Sequence, residues 1–119
     1  MKAPIPKNEE DLIVDYIYTN YLIQILENDH QLTTNLNFKI PEAYQHLVES
    51  KLKILRTDLK KIRTKMKELK IKVAEPIRDD IFIEYAYFPH GYEGRMRFWE
   101  DAMAVEGTSR LKKLFNVKY

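Results

Sequence analysis

Val48-Glu-Ser-Lys-Leu52-Lys-Ile-Leu55-Arg-Thr-Asp-Leu59-Lys-Lys-Ile62-Arg-Thr-Lys-Met66-Lys-Glu-Leu69 is the stretch that decides the fold. Val48, Leu52, Leu55, Leu59, Ile62, Met66 and Leu69 follow one another at spacings of 4, 3, 4, 3, 4 and 3. That alternation keeps apolar side chains on one face of a helix, in a heptad seam sustained over three repeats. Pro41 suits the first position of the helix, and no glycine or proline interrupts it before Pro76. Roughly thirty residues at 1.5 Å each predict a rod of about 45 Å.

A seam of this kind needs a partner, and its flanks narrow the choice. With Leu52, Leu59 and Met66 at a, the e positions are Glu49, Arg56, Arg63 and Lys70, and the g positions are Lys51, Asp58, Lys65 and Lys72. A parallel self-pair would set Lys51 against Arg56 and Lys65 against Lys70, with only Asp58 and Arg63 attracting. Exposed pairs are worth about 0.3–0.5 kcal/mol each, so the bias against that dimer is real but small. An intramolecular partner is preferred to a second copy or a foreign helix.

Residues 8–28 supply that partner. Asn8 can cap a helix, with Glu9, Glu10 and Asp11 in its first turn, where the helix dipole favours negative charge. Leu12, Ile13, Tyr16, Ile17, Ile23 and Leu26 repeat at helical spacing, and Tyr18, Tyr21, Leu22 and Ile25 widen the apolar face. Residues 29–40 read as a loop long enough to turn the chain back. The acidic start, Glu9 to Asp15, would then lie beside the basic end of the seam helix.

Charge is segmental along the chain. Residues 1–50 carry three basic and eight acidic side chains, residues 51–72 ten and two, and residues 73–119 seven and eight. The whole is 119 residues with net charge +2, the length of one domain, with residues 1–7 as a flexible arm. Cysteine is absent, which excludes disulfide scaffolds, thiolate metal sites and cysteine nucleophiles. Three glycines, Gly91, Gly94 and Gly107, are too few and wrongly placed for a Rossmann fingerprint or a P-loop. Prolines and acids follow Lys2 where a secretory signal would be apolar, and no stretch is long and apolar enough to span a membrane. A cytoplasmic protein is expected.

Beyond the seam, Ile81-Phe-Ile-Glu-Tyr-Ala-Tyr-Phe88 is β-branched and aromatic, the composition of a strand. Residues 71–75 are its nearest pairing candidate. Arg95 to Phe115 reads as a last helix, with Met96, Trp99 and Met103 turned inward and Gly107 able to kink or divide it. The expected architecture is therefore mainly α: an antiparallel bundle on one long heptad helix, with a short strand or hairpin near residues 71–88.

Candidate sites are few. His30, His46 and His90 include no pair three or four residues apart, so no helical metal pair exists. Asp79 and Asp80 read as turn residues, and Ser50 and Ser109 lack a histidine signature; no catalytic constellation, cofactor or metal site is expected, and the chain reads as non-enzymatic. Basic residues Lys53, Arg56, Lys60, Arg63, Lys67 and Lys70 offer a nucleic-acid surface as an alternative, although the ten cations of this helix wrap several heptad positions and a solvated face is the simpler reading.

The segment from Tyr85 to Asp101 concentrates aromatic residues with Arg95 and Arg97, types enriched in binding hot spots. Tyr92, Arg95 and Arg97 are the candidate contacts to a protein partner or a second copy. Here the chain resembles uncharacterised small helical proteins of Gram-positive bacteria and their mobile elements. The shared features are a tyrosine-rich strand, Gly91-Tyr92, and Met96 and Trp99 on a helix ending Leu-Lys-Lys-Leu-Phe. The resemblance covers the C-terminal third and implies no activity, substrate or catalytic residue. The expected function is a protein-interaction or regulatory module.

Overall fold

A computed structural model describes residues 5–89 and 93–116. Two long helices, α1 (Lys7–Thr33) and α2 (Pro41–Glu68), precede strands β1 (Ile71–Val73), β2 (Ile77–Asp79), β3 (Phe82–Pro89) and β4 (Gly94–Trp99), and α3 (Glu100–Leu114) follows. The protein is mainly helical with a small antiparallel sheet. No helix among the described residues is long and apolar enough to cross a membrane.

The seam helix is not alone in its length, because α1 has 27 residues to the 28 of α2. The expected helix of residues 8–28 starts one residue earlier, after Pro6, and runs on to Thr33. No glycine or proline lies between Lys7 and Ile40 to stop it, and the loop shrinks to residues 34–40. Asn8 is inside α1 instead of capping it; the Pro6 carbonyl takes the first N–H groups, those of Glu9 and Glu10, at 3.0 Å. Thr33 and Thr34 close the far end by donating to the His30 and Gln31 carbonyls, each at 2.7 Å.

The two helices run antiparallel. Glu27 pairs with Arg56 at 2.9 Å and His30 with Glu49 at 2.9 Å, so numbers rise on one helix as they fall on the other. Leu22, Ile23 and Leu26 pack with Leu52, Leu55 and Leu59 in one apolar cluster. The remaining apolar positions of the spacing, Val48, Ile62 and Leu69, are half-buried. The acidic start of α1 finds other partners than expected. Asp11 takes Lys7 at 3.1 Å, and Asp15 takes Arg110 of α3 at 3.1 Å.

The sheet is larger than the expected hairpin. β3 is central, with β1 and β2 end to end along one side and β4 along the other. Val73 faces Tyr87 and Ile77 faces Glu84, so the edge chain spends one residue more than β3 does between them. That residue makes a bulge around Ala74–Pro76, a place where proline, without an N–H, removes no ladder bond. Asp80, at φ 58°, turns the chain from β2 into β3.

Residues 94–99 correct the expectation of a helix from Arg95. They form β4, pairing Phe82 with Trp99, Glu84 with Arg97 and Ala86 with Arg95. Trp99 was expected inside; it lies on the outer side of the sheet, 48% exposed. The side chains that do point inward, Met96 and Phe98, join Ile71, Val73, Ile83, Tyr85 and Tyr87 on a core with Ile13, Ile17, Tyr18, Met66 and Met103. Gly94 lies under the Tyr87 ring, where an added Cβ would stand 2.3 Å from Cζ. α3 passes through Gly107 without a break, because the missing side chain lets it approach α1: a Cβ there would meet Tyr21 Cε2 at 2.8 Å.

Candidate functional site

Strand alternation sends every second side chain to the far side of the sheet, away from the helices. On β4 these are Arg95, Arg97 and Trp99; on β3 they are Phe82, Glu84, Ala86 and Phe88; on the edge chain they are Lys72, Ile77 and Asp79. Ile77 is 65% exposed and Phe88 38%, beside the half-exposed Trp99. The inner face of the same strands is filled by the core, and among the described residues the outer face, half of it charged and half apolar, is left open to solvent.

Two of the three residues singled out for partner binding meet on this face. The Arg97 guanidinium lies over the Phe82 ring, 4.2 Å from its centroid, and reaches Asp79 at 3.3 Å. Arg95 reaches Glu84 at 3.4 Å and Glu93 at 3.5 Å. Cation–π contact and ion pairing hold both arginines flat across the strands, which lowers the rotamer entropy a partner would otherwise have to freeze. Tyr92 lies outside the described residues. Sequence reasoning missed Trp99, Phe82, Phe88 and Ile77 as members of the face. The signal for one of them, Trp99, was present: Gly94-Arg-Met-Arg-Phe-Trp99 alternates with period two.

The six cations of the alternative lie elsewhere. Lys53, Arg56, Lys60, Arg63, Lys67 and Lys70 recur at 3, 4, 3, 4 and 3, and all are exposed. They form one stripe along α2, narrower than the wrap expected from the full set of ten. Arg56 is paired to Glu27; among the described residues the other five make no ion pair within 4.0 Å. The stripe ends in a groove of about 740 Å³ between the last turns of α2 and strand β1.

Titratable groups inside the core behave as a packed interior requires. Burial pushes the Tyr85 and Tyr18 hydroxyls above the ordinary tyrosine range, assisted by Glu75 and Glu106 respectively. Arg110 is partly desolvated, which opposes its charge, yet hydrogen bonds to Glu106 and Asp15 outweigh that and raise its pKa. No group of three or more His, Asp or Glu side chains placed to hold a metal ion occurs among the described residues. His30, on α1, is engaged by Glu49, and His46 is exposed on α2. Of the two residues expected in a turn, Asp80 stands in the β2–β3 connection, whereas Asp79 is the last residue of β2 and pairs with Phe82.

The chain matches the model of a family described as YhjD protein over residues 4–119, and so belongs to that family. The match runs through both long helices as well as the C-terminal third. Neither a curated protein nor a solved structure matches it.

Proposed function

We propose that this member of the YhjD family is a non-enzymatic protein-interaction module of the bacterial cytoplasm, and that its docking surface is the outer face of the sheet. The observation that supports this reading is a face on which Ile77, Phe88 and Trp99 are exposed and Phe82 is half-buried, with Arg95 and Arg97 lying between its two ends. Aromatic and arginine side chains dominate binding hot spots because they bury much area at small entropic cost. Its apolar side chains gain about 25 cal/mol for each Å² of apolar surface hidden from water.

Affinity capture from a lysate with the parent and with Trp99→Ala and Arg97→Ala tests it. Both variants keep their melting midpoint and lose the captured protein. If both retain every association of the parent, the face is only structural.

A second reading, nucleic-acid binding, is supported by the exposed cationic stripe Lys53 to Lys70. Such binding would fall steeply with salt, whereas docking on the apolar sheet face would not.

A further inference from the structure

The groove at the end of α2 stands out among the hollows of the described residues by its charge. Its walls carry Arg63 and Lys67 from α2 and Lys70 just past the end of that helix; Lys72 of β1 borders it, although its side chain alternates to the outer face of the sheet, and among the described residues no carboxylate lines it. Its floor is apolar: Tyr16, Met66, Ile71 and Val73. A smaller hollow of about 150 Å³ shares Tyr16, Arg63 and Val73 with it and reaches on to Glu75 and Pro76.

One wall is the free edge of a strand. Ala74 N–H donates to the Ala86 carbonyl at 2.9 Å, so Ala74 and, two residues back, Lys72 turn their backbone groups toward β3. The backbone groups of Ile71 and Val73 therefore point the other way, off the edge of the sheet beside the groove. Among the described residues, the backbone bonds outside helices and ladders include none to either. Lys70 itself stands at φ 57°, at the end of α2, a conformation that glycine or asparagine adopts more cheaply.

The geometry points to a docking groove for an extended acidic peptide segment, added as a strand beside β1. Cations on the rim attract its carboxylates, the apolar floor takes its alternate side chains, and Ile71 and Val73 supply main-chain hydrogen bonds. Charge complementarity selects an anionic occupant. The strand edge and the apolar floor favour a polypeptide over a nucleic acid, whose backbone has no use for either. This surface is separate from the outer sheet face, and its failure would leave that reading untouched.

A fluorescein-labelled acetyl-(Glu-Val)4-amide, titrated by fluorescence anisotropy, is the probe. It binds the parent, and the charge-reversed (Lys-Val)4 peptide does not. Lys67→Glu combined with Lys70→Glu weakens binding at least tenfold, while Arg97→Ala and Trp99→Ala leave it unchanged. Two further peptides, N-methylated on all Glu or on all Val amides, separate strand pairing from mere charge: one loses binding and the other keeps it. These peptides act on the parent protein, so they decide the matter even if the double lysine variant fails to fold. No binding of the Glu-Val peptide, equal binding of the Lys-Val peptide, or equal affinities of the two methylated forms would overturn the proposal. So would tighter binding of oligodeoxythymidine or of phosphatidylglycerol vesicles through Lys67 and Lys70.

Discussion

Gly107→Ala sets two opposed effects against each other, and the structure decides which wins. Within α3, alanine in place of glycine favours the helix by about 0.8–1.0 kcal/mol. Its Cβ, however, would stand 2.8 Å from Tyr21 Cε2, while Leu22 Cδ2 at 3.7 Å is in ordinary contact. The obstacle is thus one ring, which must retreat by more than half an ångström against Tyr18, 6.1 Å away in an edge-on contact. Overpacking of that kind costs about 1–3 kcal/mol. The expected net effect is a loss of roughly 1 kcal/mol, a melting shift of a few degrees for a domain this size. Removing the ring reverses the sign: on a Tyr21→Ala background, Gly107→Ala should stabilise by nearly the full helix-propensity gain. Urea denaturation of the four proteins, followed by circular dichroism, gives a coupling energy of about 1–3 kcal/mol. If Gly107→Ala stabilises the parent and the variant equally, α3 does not need its glycine to approach α1.

Three other expectations follow from burial. Leu59, 8% exposed between the long helices, should cost about 2–5 kcal/mol when cut to alanine, measured by the same denaturation. Trp99→Ala should cost under about 1 kcal/mol, because the ring is half exposed; a loss of 3 kcal/mol or more would put it back in the core. Tyr85 and Tyr18 have folded-state pKa values raised by burial, so the native state holds their protons more tightly than the unfolded chain. Their contribution is fully present below the ordinary tyrosine pKa of about 10 and is lost as pH rises through the folded values. Tyr85→Phe should flatten the alkaline decline in stability, and an unaltered slope would show that this hydroxyl is not desolvated.

Much of this fold was legible in the chain. The strand over residues 81–88 and its partner in residues 71–75 were readable because β-branched and aromatic residues cluster there, but the short strand β2 between them was not. Residues 95–99 were not, since Met96, Trp99 and Met103 also fall at helical spacing. The two periods compete over so short a stretch, and pairing with the neighbouring strand β3 settles it, a contact that the stretch read by itself does not show. The extension of α1 to Thr33 escaped notice for a different reason: Asn28, Asp29 and His30 are weak helix formers, yet nothing forbids them, and His30 is tied to Glu49 across the hairpin. At the candidate site, Arg95 and Arg97 were legible by residue type. Their apolar neighbours were not, because which side of a strand lies open depends on where the helices pack.

Ile13, Ile17 and Tyr18 touch α2, the sheet and Met103 of α3 at once. The helical hairpin and the β-meander are each made from contiguous chain, so each can form through local encounters before the two meet. The first half of α1 is then the strip on which the meander docks. Hydrogen exchange should divide accordingly. Amides around Leu22, Leu26, Leu55 and Leu59 would open together as one unit, and those of β1, β3 and β4 as another. Weakening Ile13 or Ile17 should lower the protection of the sheet while sparing the distal half of the hairpin, uncoupling two parts that otherwise melt as one.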